Sequence, residues 1–515
     1  MHIVIPMAGH SRRFKAQGFE SPKWKLPVGD RTMIEHVVDM FAENDDFHFV
    51  ITYDQKAQDP EVVSWLYTLV AKGHVHVIDS HEDGPVYSIM GIKNIADAEP
   101  VIISYCDFFV HWNYSGFLRH LHGADGAIVT FSGFHAASFG TTQYAYLRTD
   151  GDRMLELREK QSFTDDRTTE PASAGIYYFS RFDMFRKYGN KVMEDPGQEL
   201  PEAYVSLAYN HMFNDGLRVI VHEAKRFICL GTPEDYEQYQ YWWQYFVGTP
   251  SQVVKQESGS QRVNLVPMAG RGARFREYGY RVAKPLIQIG GLPMVMRTLQ
   301  STPEADDWLF VPRLSDIQTH PIEKALRKFA PNCQIFPCDT LTTGPAATCL
   351  LASAGIVPEA ELMIASCDYE HRYDHDAWRK IVNDSTIDGA IWTYRLGANM
   401  VKSAEAFAYC RTEAGSTRVT EVVEKMTISD TPENDPLVVG TFWFRRGVDF
   451  IRGAENMISS GEAINGEHYV GTSINQLIAE GARFAIFDIN QWISFGDPFE
   501  LKLLEFWEKV FKTGK

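Results

Sequence analysis

One short pattern occurs twice in this chain and limits its fold more than any other feature. Residues 5–14 read IPMAGHSRRF, and residues 266–275 read VPMAGRGARF. In each copy a short apolar run leads into small residues and then into Arg and Phe, which predicts a strand that turns through a loop. Such a loop can direct backbone N–H groups and a guanidinium group at phosphates. The repetition predicts two related domains within the 515 residues.

A polar segment separates the two copies and predicts the domain boundaries. It covers residues 248–261 and is rich in Gly, Ser and Gln, as a linker is. We therefore expect one domain over residues 1–247 and a second over residues 262–515. Strand-like and helix-like segments alternate in the same order on both sides, which predicts a mostly parallel central sheet between helices in each domain.

Composition and charge argue against several classes of protein. A hydrophobic content of 44% is that of a globular chain, and a net charge of -17 disfavours a nucleic-acid-binding surface. The seven cysteines show no paired CxxC spacing, which favours free thiols in a reducing cytoplasm. We recognise no signal peptide and no apolar run long enough to cross a bilayer, so we expect a cytoplasmic protein without a membrane partner.

Four further features recur in the same order in both halves. They are the Arg that ends each loop, a Lys ten residues later, an Asp directly after a buried strand and a Glu-Lys pair. Ligands of open α/β sheets bind beyond the carboxyl ends of the strands, where the loop and the Asp of each half are expected. The first half supplies Arg13, Lys23, Asp107, Glu159 and Lys160, and the second supplies Arg274, Lys284, Asp368, Glu424 and Lys425.

This ordered set resembles the sugar-1-phosphate nucleotidyltransferases, also called nucleotide-sugar pyrophosphorylases. The family pattern combines a Gly-x-Gly-Ser/Thr-Arg loop, a Pro-Lys, a strand-end Asp, a Glu-Lys and a late Gly-Thr-Pro-Glu-Asp, the last at residues 231–235 here. The resemblance covers essentially the whole chain twice and implies two tandem Rossmann-like domains of the GT-A type. It implies transfer of a nucleotidyl group from a nucleoside triphosphate to a sugar-1-phosphate or a similar phosphorylated small molecule, with release of pyrophosphate. Surface polysaccharide synthesis is the setting it suggests.

The resemblance also implies a role for each residue in a reaction that depends on positioning and charge neutralisation. The loop Arg would hold the β and γ phosphates, the Lys would stabilise charge at the α-phosphate, and the strand-end Asp would ligate Mg2+. The Lys of the Glu-Lys pair would hold the sugar phosphate, and its Glu would accept hydrogen bonds from sugar hydroxyls. Small residues would complete both subsites: Ala8, Gly9, Gly84, Ala269, Gly270, Gly272 and Gly344 at the nucleotide, with Gly175 and Gly440 at the sugar phosphate.

Two departures from the family pattern bear on the site. Ser11 stands where the second glycine of the first loop belongs, at a position expected to need positive φ. Cys229 and Ser494 stand where many relatives place a second metal-binding Asp, so either one carboxylate holds the metal in each domain or another group substitutes. Glu223 and Asp488 are weak candidates for that substitute.

Several alternatives stay open. One domain could be active while the other is degenerate and binds nucleotide sugar as a regulator. A glycosyltransferase of GT-A type is a second alternative, because residues 368–370 place two acidic residues around a Tyr. A dinucleotide-binding oxidoreductase is disfavoured, since Phe275 stands where its third glycine would be.

Three sequence features remain ambiguous. The base is not identified, because both predicted base-facing loops carry Pro near where many relatives carry Gln. An aromatic cluster at residues 239–246 predicts packing between domains or subunits, which leaves a homo-oligomer among the expected partners. His74 and His76 alternate as on a strand, and a metal role for them would require further ligands.

Overall fold

The chain folds into two compact units. The first comprises Met1–Val247 together with Phe506–Lys515, and the second comprises Gly248–Glu505. The residues from Phe506 onward thus group with the first unit, whereas the sequence assigned them to the second domain. Within the predicted linker, residues 249–259 lie outside the described residues. The computed structural model describes residues 1–140, 142–194, 202–248, 260–396 and 404–512.

The first unit alternates strands and helices along most of its length. Its strands are β1 His2–Pro6, β2 Pro27–Val28, β3 Arg31–Thr32, β4 Asp46–Thr52, β5 Gly73–Ile78, β6 Val101–Ser104, β7 Phe108–His111, β8 Gly126–Phe131, β9 Ala145–Asp150, β10 Arg153–Glu159, β11 Ala172–Phe179, β12 Val219–Glu223 and β13 Arg226–Cys229. Its helices are α1 Arg12–Ala16, α2 Met33–Val38, α3 Tyr53–Gln58, α4 Val62–Thr68, α5 Pro85–Met90, α6 Tyr114–His120, α7 Phe182–Glu194, α8 Ala208–Asn214 and α9 Pro233–Phe246.

The second unit follows a similar order of elements. Its strands are β14 Arg262–Met268, β15 Gln288–Ile289, β16 Leu292–Pro293, β17 Asp307–Pro312, β18 Gln334–Ile335, β19 Glu361–Ala365, β20 Tyr369–Arg372, β21 Gly389–Tyr394, β22 Ala408–Thr412, β23 Val419–Glu424, β24 Leu437–Phe444, β25 Phe484–Asp488 and β26 Gln491–Ser494. Its helices are α10 Ala273–Glu277, α11 Met294–Ser301, α12 Leu314–Thr319, α13 Ile322–Phe329, α14 Pro345–Leu350, α15 His375–Asn383, α16 Gly447–Ser460 and α17 Val470–Ala479. The last helix, α18 Pro498–Lys512, ends among residues of the first unit.

The main sheet of the first unit has the strand order β5-β4-β1-β6-β11-β8-β12-β10-β9. Strands β5, β4, β1 and β6 are parallel to one another, but β11 runs antiparallel to both β6 and β8. The reversal arises because β11 begins beside the end of β8, where Ala172 pairs with Phe131. The α/β class is therefore confirmed, but the prediction of a mostly parallel sheet is wrong in its pairings, because the sheet is mixed.

The main sheet of the second unit has the order β18-β17-β14-β19-β24-β21-β25, with β22 and β23 attached beside β24. Here too the middle strand, β24, is antiparallel to both of its neighbours, β19 and β21. A short two-stranded sheet lies off each main sheet, β7 with β13 in the first unit and β20 with β26 in the second. These short sheets bring the segment after the strand-end Asp beside the segment before the late glycine.

Burial and capping explain the elements that position the site. Every residue of β6 and β19 is buried, as the apolar runs predicted. Thr32 and Glu35 form a capping box at the start of α2. No helix in the described ranges is both long enough and apolar enough to span a membrane.

The aromatic cluster on α9 packs against the chain terminus that belongs to the same unit. Tyr239, Trp242 and Tyr245 are buried. The ring centroids of Tyr239 and Trp507 lie 5.9 Å apart, and those of Phe246 and Phe511 lie 5.7 Å apart. These contacts give the aromatic residues of α9 a packing role.

Candidate active site

The loop after the first strand of each unit reaches its helix through a left-handed residue. Ser11 has φ 52° and ψ 35°, and Gly272 has φ 59° and ψ 36° at the matching position. The expectation of positive φ at Ser11 is confirmed, and a residue with a Cβ is strained there. The Ser11 hydroxyl oxygen accepts a hydrogen bond from the backbone N–H of Lys23 at 3.2 Å, which offsets part of that strain.

The predicted Lys and Asp meet at the same place in each unit. Lys23 Nζ lies 2.5 Å from Asp107 Oδ2. Lys284 Nζ lies 2.5 Å from Asp368 Oδ2. Burial alone would lower the pKa of each lysine, but the paired carboxylate more than offsets this and raises it. Both lysines are therefore charged at neutral pH.

The second pair is the more enclosed of the two. Side-chain exposure is 12% for Asp368 and 25% for Asp107. Burial would raise the pKa of Asp368, yet Lys284 and the hydroxyl of Ser366 hold it below its usual range. This carboxylate therefore depends on its lysine more strongly than Asp107 does.

A glycine from the late signature lies against each carboxylate. A Cβ on Gly231 would come within 3.2 Å of Asp107 Oδ2, and one on Gly496 within 2.9 Å of Asp368 Oδ2. The main chain holds this approach through bonds from Leu230 N–H to Asp107 O, 2.8 Å, and from Phe495 N–H to Asp368 O, 3.2 Å. The glycines leave space beside the carboxylates that any side chain would fill.

Cys229 and Ser494 stand where relatives place a second Asp. Each donates a hydrogen bond to an acidic residue in the first turn of the last helix of its half. The Cys229 thiol donates to Asp235 Oδ2 at 3.3 Å, and the Ser494 hydroxyl donates to Glu500 Oε2 at 2.6 Å. Burial raises the pKa of both acidic groups. Asp235 and Glu500 were not among the residues predicted from the sequence, although Asp235 is the last residue of the late signature at residues 231–235.

The earlier candidates for a second ligand have other partners. Glu223 accepts a hydrogen bond from the Ser132 hydroxyl at 2.5 Å. Asp488 accepts one from Thr393 at 2.6 Å and pairs with Arg395 at 3.3 Å.

The Glu-Lys pairs lie at the ends of β10 and β23. Lys160 and Lys425 have φ 58° and φ 57°, a left-handed conformation that the sequence did not predict. The ammonium of Lys160 lies 4.4 Å from the ring centre of Tyr204 and donates to its hydroxyl. Lys425 lies 5.6 Å from the ring centre of Tyr469. Tyr204 and Tyr469 thus contact one lysine each.

The two glutamates differ in their support. The Ser206 hydroxyl donates to Glu159 Oε2 at 2.5 Å, whereas Gly471 stands against Glu424, where a Cβ would come within 2.6 Å of Oε1. Burial raises the pKa of Glu159 while Ser206 opposes the rise. Burial raises the pKa of Glu424 to about 7, with only Lys425 opposing it. Near neutral pH the second unit therefore holds a half-protonated carboxyl.

The glycines at the start of α5 and α14 touch the segment that carries these tyrosines. Gly84 has φ 93°, and a Cβ on it would lie 2.8 Å from the backbone N of Ala203. Gly344 has φ 129°, and a Cβ on it would lie 2.5 Å from the backbone N of His468. Both positions require glycine, because positive φ and a tight backbone contact coincide there.

The other small residues are placed as follows. Gly175 and Gly440 pack against the turn that carries the strand-end Asp, since Tyr105 N–H donates to Gly175 O at 3.1 Å and Ser366 N–H to Gly440 O at 3.2 Å. In the loops themselves Ala8 is buried, Ala269 is half-buried, and Gly9 and Gly270 are exposed.

The loop arginines, Arg13 and Arg274, are exposed. Arg274 lies 3.5 Å from Asp497, and its guanidinium helps to lower the pKa of Asp368. Burial and Glu202 raise the pKa of Tyr204. The positive charge of Arg13 lies close enough to oppose that rise. Arg274 therefore lies near the Lys284–Asp368 pair, and Arg13 lies near the segment that carries Tyr204.

Comparison with known families supports the first half of this arrangement. Residues 3–161 match the family described as the MobA-like NTP transferase domain. The chain carries a nucleotidyltransferase domain. The matched residues include the loop, Lys23, Asp107 and the Glu159-Lys160 pair, and the expectation that the protein is a nucleotidyltransferase is confirmed. Among curated proteins none matches the chain.

Several solved structures align with about half of the chain. A nucleoside-diphosphate-sugar pyrophosphorylase from Vibrio cholerae is 22% identical, with 47% of this chain and 98% of that one covered and a TM-score of 0.39. An inositol-1-phosphate CTP transferase from T. maritima is 13% identical, with 49% and 98% covered and a TM-score of 0.38. A putative glucose-1-phosphate thymidylyltransferase from Bacillus anthracis is 15% identical, with 49% and 98% covered and a TM-score of 0.39.

Proposed function

We propose that the protein transfers a nucleotidyl group from a nucleoside triphosphate to a sugar-1-phosphate or a similar phosphorylated small molecule, and that it releases pyrophosphate. The observation that carries this proposal is the repeated Lys–Asp pair, with Nζ and Oδ2 2.5 Å apart in both units. In the first unit this pair lies within the matched nucleotidyltransferase domain. A cation and a carboxylate beside a left-handed loop suit the binding and activation of a polyphosphate.

Each group has a definite task in this reaction. Arg13 and Arg274 are exposed on the loop helices, where they can fold over the β and γ phosphates. Lys23 and Lys284 are held by their carboxylates until the nucleotide arrives, and are then placed to neutralise charge on the α-phosphate. No covalent intermediate is required, because positioning and charge neutralisation account for catalysis of this kind.

The strand-end carboxylates fit a magnesium ion. Asp107 and Asp368 offer oxygen ligands, which Mg2+ prefers, and Gly231 and Gly496 leave open the space beside Oδ2 that a Cβ would fill. Mg2+ would supply further neutralisation of the polyphosphate charge. The carboxylate in turn fixes where that charge is held.

The Glu-Lys pair of each unit suits the acceptor. Lys160 and Lys425 carry the positive charge that a sugar phosphate needs, and the adjacent Glu159 and Glu424 can accept hydrogen bonds from hydroxyl groups. Tyr204 holds the Lys160 ammonium in place. These residues support an acceptor with a phosphate next to several hydroxyl groups, as in a sugar-1-phosphate made for polysaccharide assembly.

We further propose that the second unit is a tandem copy of the first. The matching order of the strands from β5 to β12 and from β18 to β25, the reversed middle strand and the same Lys–Asp separation support this. The contrast between Glu159 and Glu424 favours a second candidate function for the second unit, in which it binds nucleotide sugar as a regulator.

The test is pyrophosphate release by the purified full-length protein with Mg2+, each nucleoside triphosphate and a panel of sugar-1-phosphates. We expect at least one combination to release pyrophosphate. If each unit acts on its own substrate pair, Asp107→Asn and Asp368→Asn should each reduce the rate with the corresponding pair by at least a hundredfold. Loss with Asp107→Asn alone would assign catalysis to the first unit and regulation to the second. The exposed residues Asp150 and Asp430 provide matched Asp→Asn controls. No release from any combination, or release that survives the double variant, would refute the proposal.

A further inference from the structure

Four histidines and one aspartate gather on the first-unit sheet, at the edge where its parallel strands begin. They are His2 on β1, Asp46 and His48 on β4, and His74 and His76 on β5. The candidate active site lies beyond the opposite, carboxyl ends of these strands. Parallel register joins the residues, because β1 pairs with β4 and His48 pairs with His74.

Three of these side chains direct ligand atoms at one point. His2 Nδ1 lies 3.0 Å from His48 Nε2 and 3.8 Å from Asp46 Oδ2. The ligand atoms of the three residues all lie within 4.8 Å of one another. Around a tetrahedral Zn2+ with bonds of about 2.0–2.1 Å, neighbouring ligand atoms are about 3.3 Å apart. The two separations from His2 Nδ1 differ from that value by about 0.3 and 0.5 Å, so a small adjustment at His2 would bring them to it.

Two neighbouring histidines, His76 and His74, contact the same residues in ways that suit a bound cation. His48 Nδ1 lies 3.0 Å from His76 Nε2, so the second nitrogen of the buried ring has the kind of partner that orients metal-bound imidazoles. The buried Oδ1 of Asp46 makes no hydrogen bond within the described ranges, although His74 Nε2 lies 3.3 Å away. A buried carboxylate oxygen without a hydrogen bond is costly unless a positive charge faces the group.

The cluster is not a requirement of the sheet. At the corresponding positions of the second-unit sheet, Val263 replaces His2, Leu309 replaces His48 and Gln334 replaces His74. Only the aspartate persists, as Asp307, paired with Val263 just as Asp46 is paired with His2. The second unit forms the same sheet edge with Val263 and Leu309 in place of two of these histidines. Packing of the sheet therefore does not explain why the first unit carries imidazoles there.

We propose that His2, Asp46 and His48 bind one divalent transition-metal ion, with Zn2+ as the representative case. Two imidazoles and one carboxylate suit such an ion better than Mg2+, which prefers oxygen ligands. Water completes the coordination, and His76 orients His48 through its second nitrogen. The bound ion cross-links β1 to β4 and so stabilises the first unit away from the candidate active site.

The test uses full-length protein without a polyhistidine tag. The protein is stripped of metal with a chelator and then dialysed against Zn2+ as the sole transition metal, with excess Mg2+ present. We expect one equivalent of retained Zn2+, a higher melting temperature of the first unit and the absorption of a tetrahedral site when Co2+ replaces Zn2+. His48→Leu, which installs the residue found at Leu309, should remove that equivalent. His76→Ala should weaken Zn2+ binding about 10–100-fold.

Controls separate this site from other histidines and from the proposed catalytic site. His222 lies 3.2 Å from His120 in a second pair, and His222→Leu should retain Zn2+. Asp107→Asn should also retain it, so loss of pyrophosphate release and loss of Zn2+ are distinguishable. If His48→Leu does not fold, His2→Ala at the half-buried start of β1 takes its place. Failure of the parent protein to retain Zn2+, or equal retention by His48→Leu or its substitute His2→Ala, overturns the proposal and leaves a chain of hydrogen-bonded imidazoles.

Discussion

Replacement of Lys284 by Met should destabilise the second unit in a pH-dependent way. The change removes the ammonium 2.5 Å from Asp368 Oδ2 and leaves a carboxylate with 12% exposure, whose nearest remaining support is the hydroxyl of Ser366. Loss of one partner of a fully buried pair costs about 3–5 kcal/mol. Because water reaches this pair in part and Ser366 remains, we expect about 2–3 kcal/mol. Lys23→Met should cost less, since Asp107 is 25% exposed.

The sign of the pH effect follows from the pKa of Asp368. Lys284 holds that pKa below its usual range, so the pair contributes stability at neutral pH that is lost as pH falls through the pKa of the folded state. In Lys284→Met the pKa of Asp368 should rise instead. The variant should therefore be most destabilised at pH 8 and approach the parent protein near pH 4.

Hydrogen–deuterium exchange of amides in β19 reports this effect without a two-state assumption for the whole chain. Lys284→Met combined with Asp368→Asn should recover most of the lost protection, because no unpaired charge remains. Lys380→Met, on the exposed face of α15, should leave protection unchanged. Equal losses at pH 5 and pH 8, or a double variant as unstable as the sum of both singles, would refute the reasoning.

Two further outcomes are expected. Gly344→Ala should lower the free energy of unfolding by about 2–5 kcal/mol, because φ is 129° and the new Cβ would lie 2.5 Å from His468 N. Denaturant-dependent hydrogen exchange measures this loss. Gly91→Ala is the control, since no atom lies within 4 Å of its new Cβ. Glu424→Gln should stabilise the protein by up to about 3 kcal/mol at pH 8 and by little at pH 4. A pKa raised to about 7 makes the folded state lose stability as pH rises from 4.5 to 7. Thermal melts in which the stabilisation does not grow with pH, or the same shift with Glu421→Gln, would contradict this expectation.

The parts of the site that local sequence determines could be predicted. The positive φ at Ser11 follows from the loop pattern. Each Lys–Asp pair joins the segment after β1 or β14 to the end of the adjacent strand β6 or β19. The family resemblance added roles that spacing alone does not provide. These residues are fixed by strand–loop–helix geometry, which short segments encode.

The parts that failed depend on contacts between distant segments. The apolar run of β11 reads like a parallel strand, because burial on both faces looks the same in either direction. Tyr204 and Ser206 reach the Glu-Lys pair from a segment more than forty residues away in the chain. His74 and His76 lacked visible ligands because the register with His48 and His2 exists only in the folded sheet.

The return of the chain terminus to the first unit has a practical consequence for dissecting the protein. A fragment cut after Val247 would lose Trp507 and Phe511 and thereby uncover the aromatic face of Tyr239 and Phe246. Exposed aromatic faces of this kind promote self-association. Recombinant halves should therefore be designed with residues from Phe506 onward grafted to the amino-terminal piece, and insolubility of a simple truncation would say nothing about its catalytic competence.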